Sequence, residues 1–229
     1  VTSPSAPGTR TAAVRGAVFD LDGTLVDNIA FHYRAFDELA KRLGVTMTPA
    51  IFQSYNGLKN DDIFPGLVGR ALDRAELDAL AREKEETYRE LYRPELALHR
   101  GAGELLARLH RAGVRLAVAS SAPPENRAMV LDGLGLRARF DVVVASEGLP
   151  GKPAPDVFLA AAERLGIAPA ACVAFEDAAN GVQAAFAAGM TVVGVTTNVD
   201  AETLTAAGAH FTVADFETLP PALDALLPR

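Results

Sequence analysis

Short apolar runs rich in β-branched residues recur along the chain: Ala17–Phe19, Val114–Ala119, Val142–Ala145, Ala171–Phe175 and Val192–Val195. Most lack the strict apolar/polar alternation of a half-exposed strand, so they read as strands buried on both faces. Helical patterns separate them. Leu105, Leu106 and Leu109 form one apolar stripe, closed by Gly113 where a left-handed helix end fits. Pro155 opens another helix, in which Phe158, Leu159, Ala162 and Leu165 share a face and Gly166 marks the end. Strand and helix alternate from Val114 onward. This predicts an α/β fold, a doubly wound (Rossmann-like) parallel sheet with helices on both sides.

The stretch from about Asn28 to Leu98 breaks that rhythm, with helical patterns and no clear strand between them. Ile29, Phe36, Leu39 and Leu43 fall on one helical face, and Gly44 follows. Asp73 and Glu76 have the spacing of a capping box, and Leu77, Leu80, Lys84 and Leu91 continue that helix until Pro94 stops it. This segment reads as a helical cap inserted after the first strand. The expected organisation is a loose Ser/Pro/Gly/Thr-rich tail over 1–15, a core of 16–27 and 99–229, and a cap of 28–98. At 229 residues the chain has room for both units.

The formal net charge of -7 leaves no basic footprint for nucleic acid or an anionic membrane. No apolar run has the length to cross a bilayer, and the start of the sequence lacks the apolar core of a signal peptide. The single cysteine, Cys172, cannot form an internal bridge and reads as a small buried side chain in a strand. The absence of a disulfide framework fits a cytoplasmic location. No obligate protein partner is evident.

The densest chemical signal is Phe19-Asp20-Leu21-Asp22-Gly23-Thr24, directly after the first buried strand. Two carboxylates two apart at a strand end can divide labour, Asp20 attacking phosphorus and Asp22 donating and recovering a proton. Alone, the same residues are equally a turn. Three further signals share the placement. Ser120 and Ser121 follow the second run, Lys152 lies between the third run and the next helix, and Glu176 with Asp177 follows the fourth. Each has an ordinary reading: Ser120 as a helix-start turn, Lys152 as a solvated charge, Asp177 as a helix N-cap. Together they converge, because doubly wound sheets bind ligands at the carboxyl ends of their strands. A phosphate dianion repels an attacking carboxylate, so the set calls for a lysine and a divalent cation. Hard oxygens from Asp20, Asp22 and Asp177 suit magnesium, and no His/Cys spacing suggests zinc. Lys152 would bridge nucleophile and phosphate, and Ser120 would hydrogen-bond a phosphate oxygen. No Gly-rich Walker loop occurs.

In order, these four motifs resemble those of the haloacid dehalogenase superfamily of aspartate-nucleophile phosphotransferases. The run Phe175-Glu176-Asp177-Ala178-Ala179-Asn180-Gly181 resembles in particular the β-phosphoglucomutase-like subgroup, which carries an inserted helical cap. Ala178 departs from it, standing where that subgroup usually has serine. The resemblance implies that Asp20 becomes a phosphoaspartate and that Asp22 protonates the leaving alcohol and then activates water. It also implies a magnesium site of Asp20, the Asp22 backbone carbonyl, Asp177 and, through water, Glu176.

Phosphatase or mutase turns on the cap. His32 matches the cap-hinge histidine of β-phosphoglucomutases, while its spacing from Ile29 and Phe36 equally suits a core-facing helical residue. The loop containing Asn56, Gly57 and Asn60 resembles the mutase substrate loop, so these three and His32 are candidate substrate-binding residues alongside Ser120, Ser121 and Lys152. Asn56 and Asn60, however, stand where mutases carry lysine and arginine, and Lys59 is one position off. Ser121-Ala122-Pro123-Pro124 likewise replaces a polar Ser-Lys-Asn run. A mutase must grip a second phosphate with such donors. The resulting expectation is a magnesium-dependent phosphatase acting on a small phosphorylated metabolite, with a phosphosugar mutase as the alternative. A phosphoacceptor signalling module, also doubly wound, is disfavoured by Asp22 and the cap insertion.

Overall fold

The computed structural model describes residues 14–55, 58 and 60–228. Among the described residues, one parallel sheet holds six strands: β1 (Gly16–Phe19), β2 (Arg115–Ser120), β3 (Val142–Ala145), β4 (Cys172–Glu176), β5 (Thr191–Val195) and β6 (Phe211–Val213). Their order is β3-β2-β1-β4-β5-β6, and every pairing is parallel. The predicted doubly wound α/β architecture is the one observed. Strands β1 and β4 are buried along their whole length, which explains why their sequences show no alternation. Residues nevertheless sort by face. Ala17, Phe19, Val173 and Phe175 join one apolar cluster, and Val18, Cys172 and Ala174 join the other. Phe19 and Phe175 stack across β1 and β4 with ring centroids 4.5 Å apart.

After β1 come helices α1 (Ile29–Leu43), α2 (Pro49–Ser54), α3 (Asn60–Val68) and α4 (Arg74–Tyr92). The capping box exists as read, with Glu76 N–H donating to Asp73 and the Glu76 carboxylate accepting from Asp73 N–H. Gly44 ends α1 at φ 70°. These helices enclose their own apolar cluster of Phe36, Leu39, Ala40, Met47, Ile63, Phe64 and Leu67. Ala35, Tyr88 and Tyr92, on the other faces of α1 and α4, belong instead to the cluster beneath the sheet.

The remaining helices are α5 (Ala102–Arg111), α6 (Pro124–Gly133), α7 (Asp156–Leu165), α8 (Ala179–Ala187), α9 (Ala201–Ala207) and α10 (Pro221–Leu226). Helices α7, α8 and α9 cover one sheet face, while α5 and α10 cover the other. Three details differ from the sequence reading. Leu159 is exposed, and Val157 and Ala161 join Phe158, Ala162 and Leu165 on the buried face of α7 instead. Strand β6 escaped that reading, being three residues long and half-buried at the sheet edge. Val14 and Arg15 are not tail: Val14 is buried, Arg15 N–H donates to Ala171 O, and Arg15 O accepts from Arg115 N–H. The rest of the expected tail lies outside the described residues. Cys172 is buried in β4, and burial pushes its thiol up to about 11, so it behaves as a small apolar side chain. No helix among the described residues is long and apolar enough to cross a membrane.

Candidate active site

The strand order reverses direction of growth between β1 and β4, and the crevice outside the carboxyl ends of these strands is where such sheets bind ligands. Register then decides which side chains meet. Phe19 pairs with Phe175, so Asp20 emerges beside Glu176, and Asp20 N–H donates to Phe175 O at 3.0 Å. From the loop before α7, the buried Lys152 reaches both carboxylates. Its Nζ donates to Asp20 Oδ1 at 2.5 Å and to Glu176 Oε1 at 2.6 Å. The second Glu176 oxygen accepts from Ala178 N–H at 2.7 Å. Asp177 Oδ1 accepts from the Thr24 hydroxyl at 3.3 Å.

Two glycines make this crowding possible. A Cβ at Gly23, where φ is +74°, would lie 2.2 Å from Asp177 Oδ2. A Cβ at Gly181 would lie 1.8 Å from Glu176 Oε1. Neither position tolerates alanine without moving a carboxylate.

Carboxylate oxygens of Asp20, Glu176 and Asp177 all lie within 4.8 Å of one another, and all three residues are buried. One ammonium faces three acids. Burial pushes the Asp20 carboxyl up to about 7; Lys152 pulls it down, and Glu176 and Asp22 push it up. Asp177 is raised well above the carboxylate range by burial, then by Glu176 and Asp20. Burial would lower the Lys152 ammonium, but Asp20 and Glu176 outweigh it and raise it. Fully ionised, the cluster would carry more buried negative charge than its lysine compensates, which is why Asp20 and Asp177 hold protons more readily than free carboxyls do. Its donors are hard oxygens only, the set that suits a divalent cation of the magnesium type.

Asp22 is held apart from this cluster. Its Oδ1 accepts from Asn28 Nδ2 at 2.6 Å and lies 3.9 Å from His32 Nε2. Burial alone would raise its carboxyl, but His32 and the Asn28 amide hold it below the usual value. Asn28 is fully buried and fully used. Its other amide hydrogen goes to Tyr88 Oη at 2.6 Å, and its Oδ1 accepts from Gly23 N–H at 2.9 Å. His32 stacks on Tyr88 with 3.8 Å between ring centroids, and its Nδ1 lies 3.0 Å from Lys84 Nζ. His32 thus stands between Asp22 and Lys84 and is not a member of the apolar cluster of the cap.

A cavity of about 440 Å³ opens above these groups. Its floor is Asp20, Asp22, Ser120, Lys152, Glu176 and Asp177, and its far wall includes Phe36, Tyr55, Asn60, Lys84 and Glu85. The ordinary readings divide. Lys152 is buried, so it is no solvated surface charge. Asp177 caps no helix, because α8 takes Ala178 as its N-cap. Ser120 does make a turn, its Oγ accepting from Ala122 N–H at 3.0 Å, and it also faces the cavity. Ser121 lines the cavity as an exposed residue. Asn60 Nδ2 donates to Glu85 Oε1 at 3.2 Å. Asn56, Gly57 and Lys59 lie outside the described residues. The sequence reading missed Asn28, Glu85 and Tyr88. Lys84 was seen only as a member of an apolar helical stripe, and a charge at a core-facing position was a signal of its own.

Residues 14–189 match the haloacid dehalogenase-like hydrolase family. The chain belongs to that family. Among curated relatives, it is 37% identical over 184 residues to the fructose-1-phosphate phosphatase YqaB of Escherichia coli (strain K12), covering 79% of this chain and 95% of the relative. It is 32% identical over 192 residues to the β-phosphoglucomutase of Bacillus subtilis (strain 168), covering 80% and 83%. Among solved structures, the β-phosphoglucomutase of Clostridium difficile superposes with a TM-score of 0.81 at 26% identity, covering 93% of this chain and 96% of that one.

Proposed function

We propose that the protein is a phosphatase that hydrolyses a small phosphate monoester through a phosphoaspartate on Asp20, using magnesium. The observation that carries this reading is the separation of the two aspartates. Asp20 sits on Lys152 among the acids of the sheet, while Asp22 is turned toward Asn28 and His32. That division of surroundings supports attack by Asp20 and proton transfer by Asp22. The E. coli relative is named as a phosphatase of a sugar phosphate, which makes a phosphorylated sugar a reasonable substrate here. Residues 28–98 would form the cap that covers the reaction, with 16–27 and 99–229 as the core.

In the first step an Asp20 carboxylate oxygen attacks phosphorus and the ester oxygen departs, taking a proton from Asp22. Asp22 must first bind that proton from solvent, because His32 and Asn28 hold its carboxyl low in the free protein. In the second, water attacks the phosphorus, gives one proton to Asp22, and releases Asp20 and inorganic phosphate. Lys152 offsets negative charge on the transferring group. The Ser120 Oγ accepts from Ala122 N–H and keeps its own hydrogen to donate to a phosphate oxygen. Asp20, Glu176 and Asp177 would hold magnesium, which when bound supplies the positive charge this acidic cluster lacks.

A second reading, phosphosugar mutase, is favoured by His32 beside Asp22 and by the similarity to the Bacillus subtilis β-phosphoglucomutase. The test separates the two. Purified protein is assayed with magnesium against a panel of phosphorylated metabolites, including β-glucose 1-phosphate with its bisphosphate. Release of inorganic phosphate, abolished by chelator and restored by magnesium, is the expected result. Conversion to glucose 6-phosphate with little free phosphate would establish the mutase instead. Full activity in excess chelator would remove the metal.

A further inference from the structure

Glu85 stands in the cavity wall, and no step of the proposed chemistry uses it. Its side chain is 8% exposed. Oε1 accepts from Lys84 Nζ at 2.9 Å and from Asn60 Nδ2 at 3.2 Å, and Oε2 accepts from Asn126 Nδ2 at 2.8 Å. Asn126 is itself held from α4, its Oδ1 accepting from Arg89 at 2.9 Å. The carboxylate is thus pinned from α3, α4 and α6 together. An ionised carboxylate accepts at about four positions, and three are taken.

Lys84 offsets part of this charge, but its hydrogens are committed within the wall. An ammonium has three hydrogens. One goes to Glu85, one to His32 Nδ1, and the head group lies 4.7 Å from the centre of the Phe36 ring. Lys152 is similarly committed to Asp20 and Glu176. Among the described residues that line the cavity, those two lysines face five carboxylates, Asp20, Asp22, Glu85, Glu176 and Asp177, while Asp61 and Glu147 are paired with Arg74 and Arg127. One phosphate can be met at the Lys152 end. A second, reaching the far wall, would meet a fixed anion in surroundings of low dielectric, where like charges repel strongly.

We infer that Glu85 is a specificity-determining residue: its carboxylate accepts a hydrogen-bond donor from an uncharged leaving group and excludes esters that carry a second phosphate. This rests on the phosphatase reading. The test compares kcat/KM for a hexose monophosphate and the matching hexose bisphosphate, with p-nitrophenyl phosphate as a reference ester. The wild-type enzyme should prefer the monophosphate by about tenfold or more. Glu85→Gln should shrink that preference by about tenfold, chiefly by improving the bisphosphate. Asn126→Ala, which unpins the carboxylate but keeps its charge, should leave the preference within about threefold. Equal use of both esters by the wild type overturns the inference without any variant. So does an unchanged preference in Glu85→Gln, or an equal shift in Asn126→Ala, which would show that cap placement rather than charge discriminates. Failure to turn over even p-nitrophenyl phosphate would remove the phosphatase reading, and this inference with it.

Discussion

The Lys84 ammonium lies 3.0 Å from His32 Nδ1, and this contact fixes where the histidine carries its proton. An ammonium can only donate, so Nδ1 must accept. A neutral His32 therefore carries hydrogen on Nε2, the atom that faces Asp22 at 3.9 Å. The stack on Tyr88 holds the ring in that plane. In the proposed reaction, His32 and Lys84 orient the proton carrier. Lys84→Met should lower kcat for alkyl phosphates by about tenfold, and His32→Ala by about a hundredfold, because positioned proton transfer contributes roughly that much. Both should affect aryl phosphates less, since that leaving group needs no proton. Equal losses on both ester types, measured by steady-state kinetics, would remove the positioning role.

Asp20→Asn should keep the fold, because the replacement is isosteric and Asp20 N–H still bonds to Phe175 O. Turnover should vanish, and no acid-stable phosphate should attach to the protein. Activity within about tenfold of wild type would exclude Asp20 as nucleophile, since losing a covalent step costs far more.

The convergence of Asp20, Ser120, Lys152, Glu176 and Asp177 was legible because parallel strands leave no freedom. A residue that follows a buried run must appear at the carboxyl edge, and the Phe19–Phe175 register then sets its neighbour. Nothing comparable reveals Glu85 or Asn126. Their contact depends on how α4 crosses α6, a relation between distant segments that no local period encodes. Asn28 was invisible for another reason: it looks like a helix start, yet its side chain makes no cap bond and instead ties Asp22 to Tyr88. Strand β6, three residues long and half-buried, is too short for its pattern to stand out.

Gly181 lies inside α8, where alanine is intrinsically better than glycine by about 1 kcal/mol. Propensity alone says Gly181→Ala should stabilise. Space says the reverse, because the new Cβ would lie 1.8 Å from Glu176 Oε1. Glu176 is anchored by Lys152 and Ala178 N–H and has no free side to retreat to. The variant should therefore lose stability, by about 1–3 kcal/mol as typical for overpacking, and also lose magnesium affinity. A raised melting temperature with intact activity would contradict the described packing.

Burial would push the Glu85 carboxyl up, but the Lys84 ammonium, the neighbouring His32 and the hydrogen bonds from Lys84 and Asn126 hold it down at about 2. A depressed carboxylate stabilises the fold above its unfolded value of about 4.5 and loses that contribution as pH falls toward 2. The contribution at neutral pH is on the order of 2–3 kcal/mol. Wild type should thus lose more stability than Glu85→Gln between pH 5 and pH 2, and urea melts at both pH values should converge at the acid end. Parallel losses would show that the carboxylate is not depressed in the folded chain.

Asp22→Asn separates the two halves of the proposed reaction. The carboxamide preserves shape, and its oxygen can still accept from Asn28, so the loop should hold. Alkyl phosphates should be hydrolysed at least about a hundredfold more slowly, because the departing alcohol finds no proton. Attack of Asp20 on p-nitrophenyl phosphate should suffer far less, as nitrophenolate leaves unaided. The second step fails for either ester, since water no longer has a base. The phosphoenzyme should therefore accumulate, giving a burst of nitrophenol equal to the enzyme present with phosphate retained on the protein. Wild type should show no such burst if its second step keeps pace. A variant slowed equally in both steps, with no burst, would mean that Asp22 serves the geometry of the loop between Asp20 and Asn28 and transfers no proton.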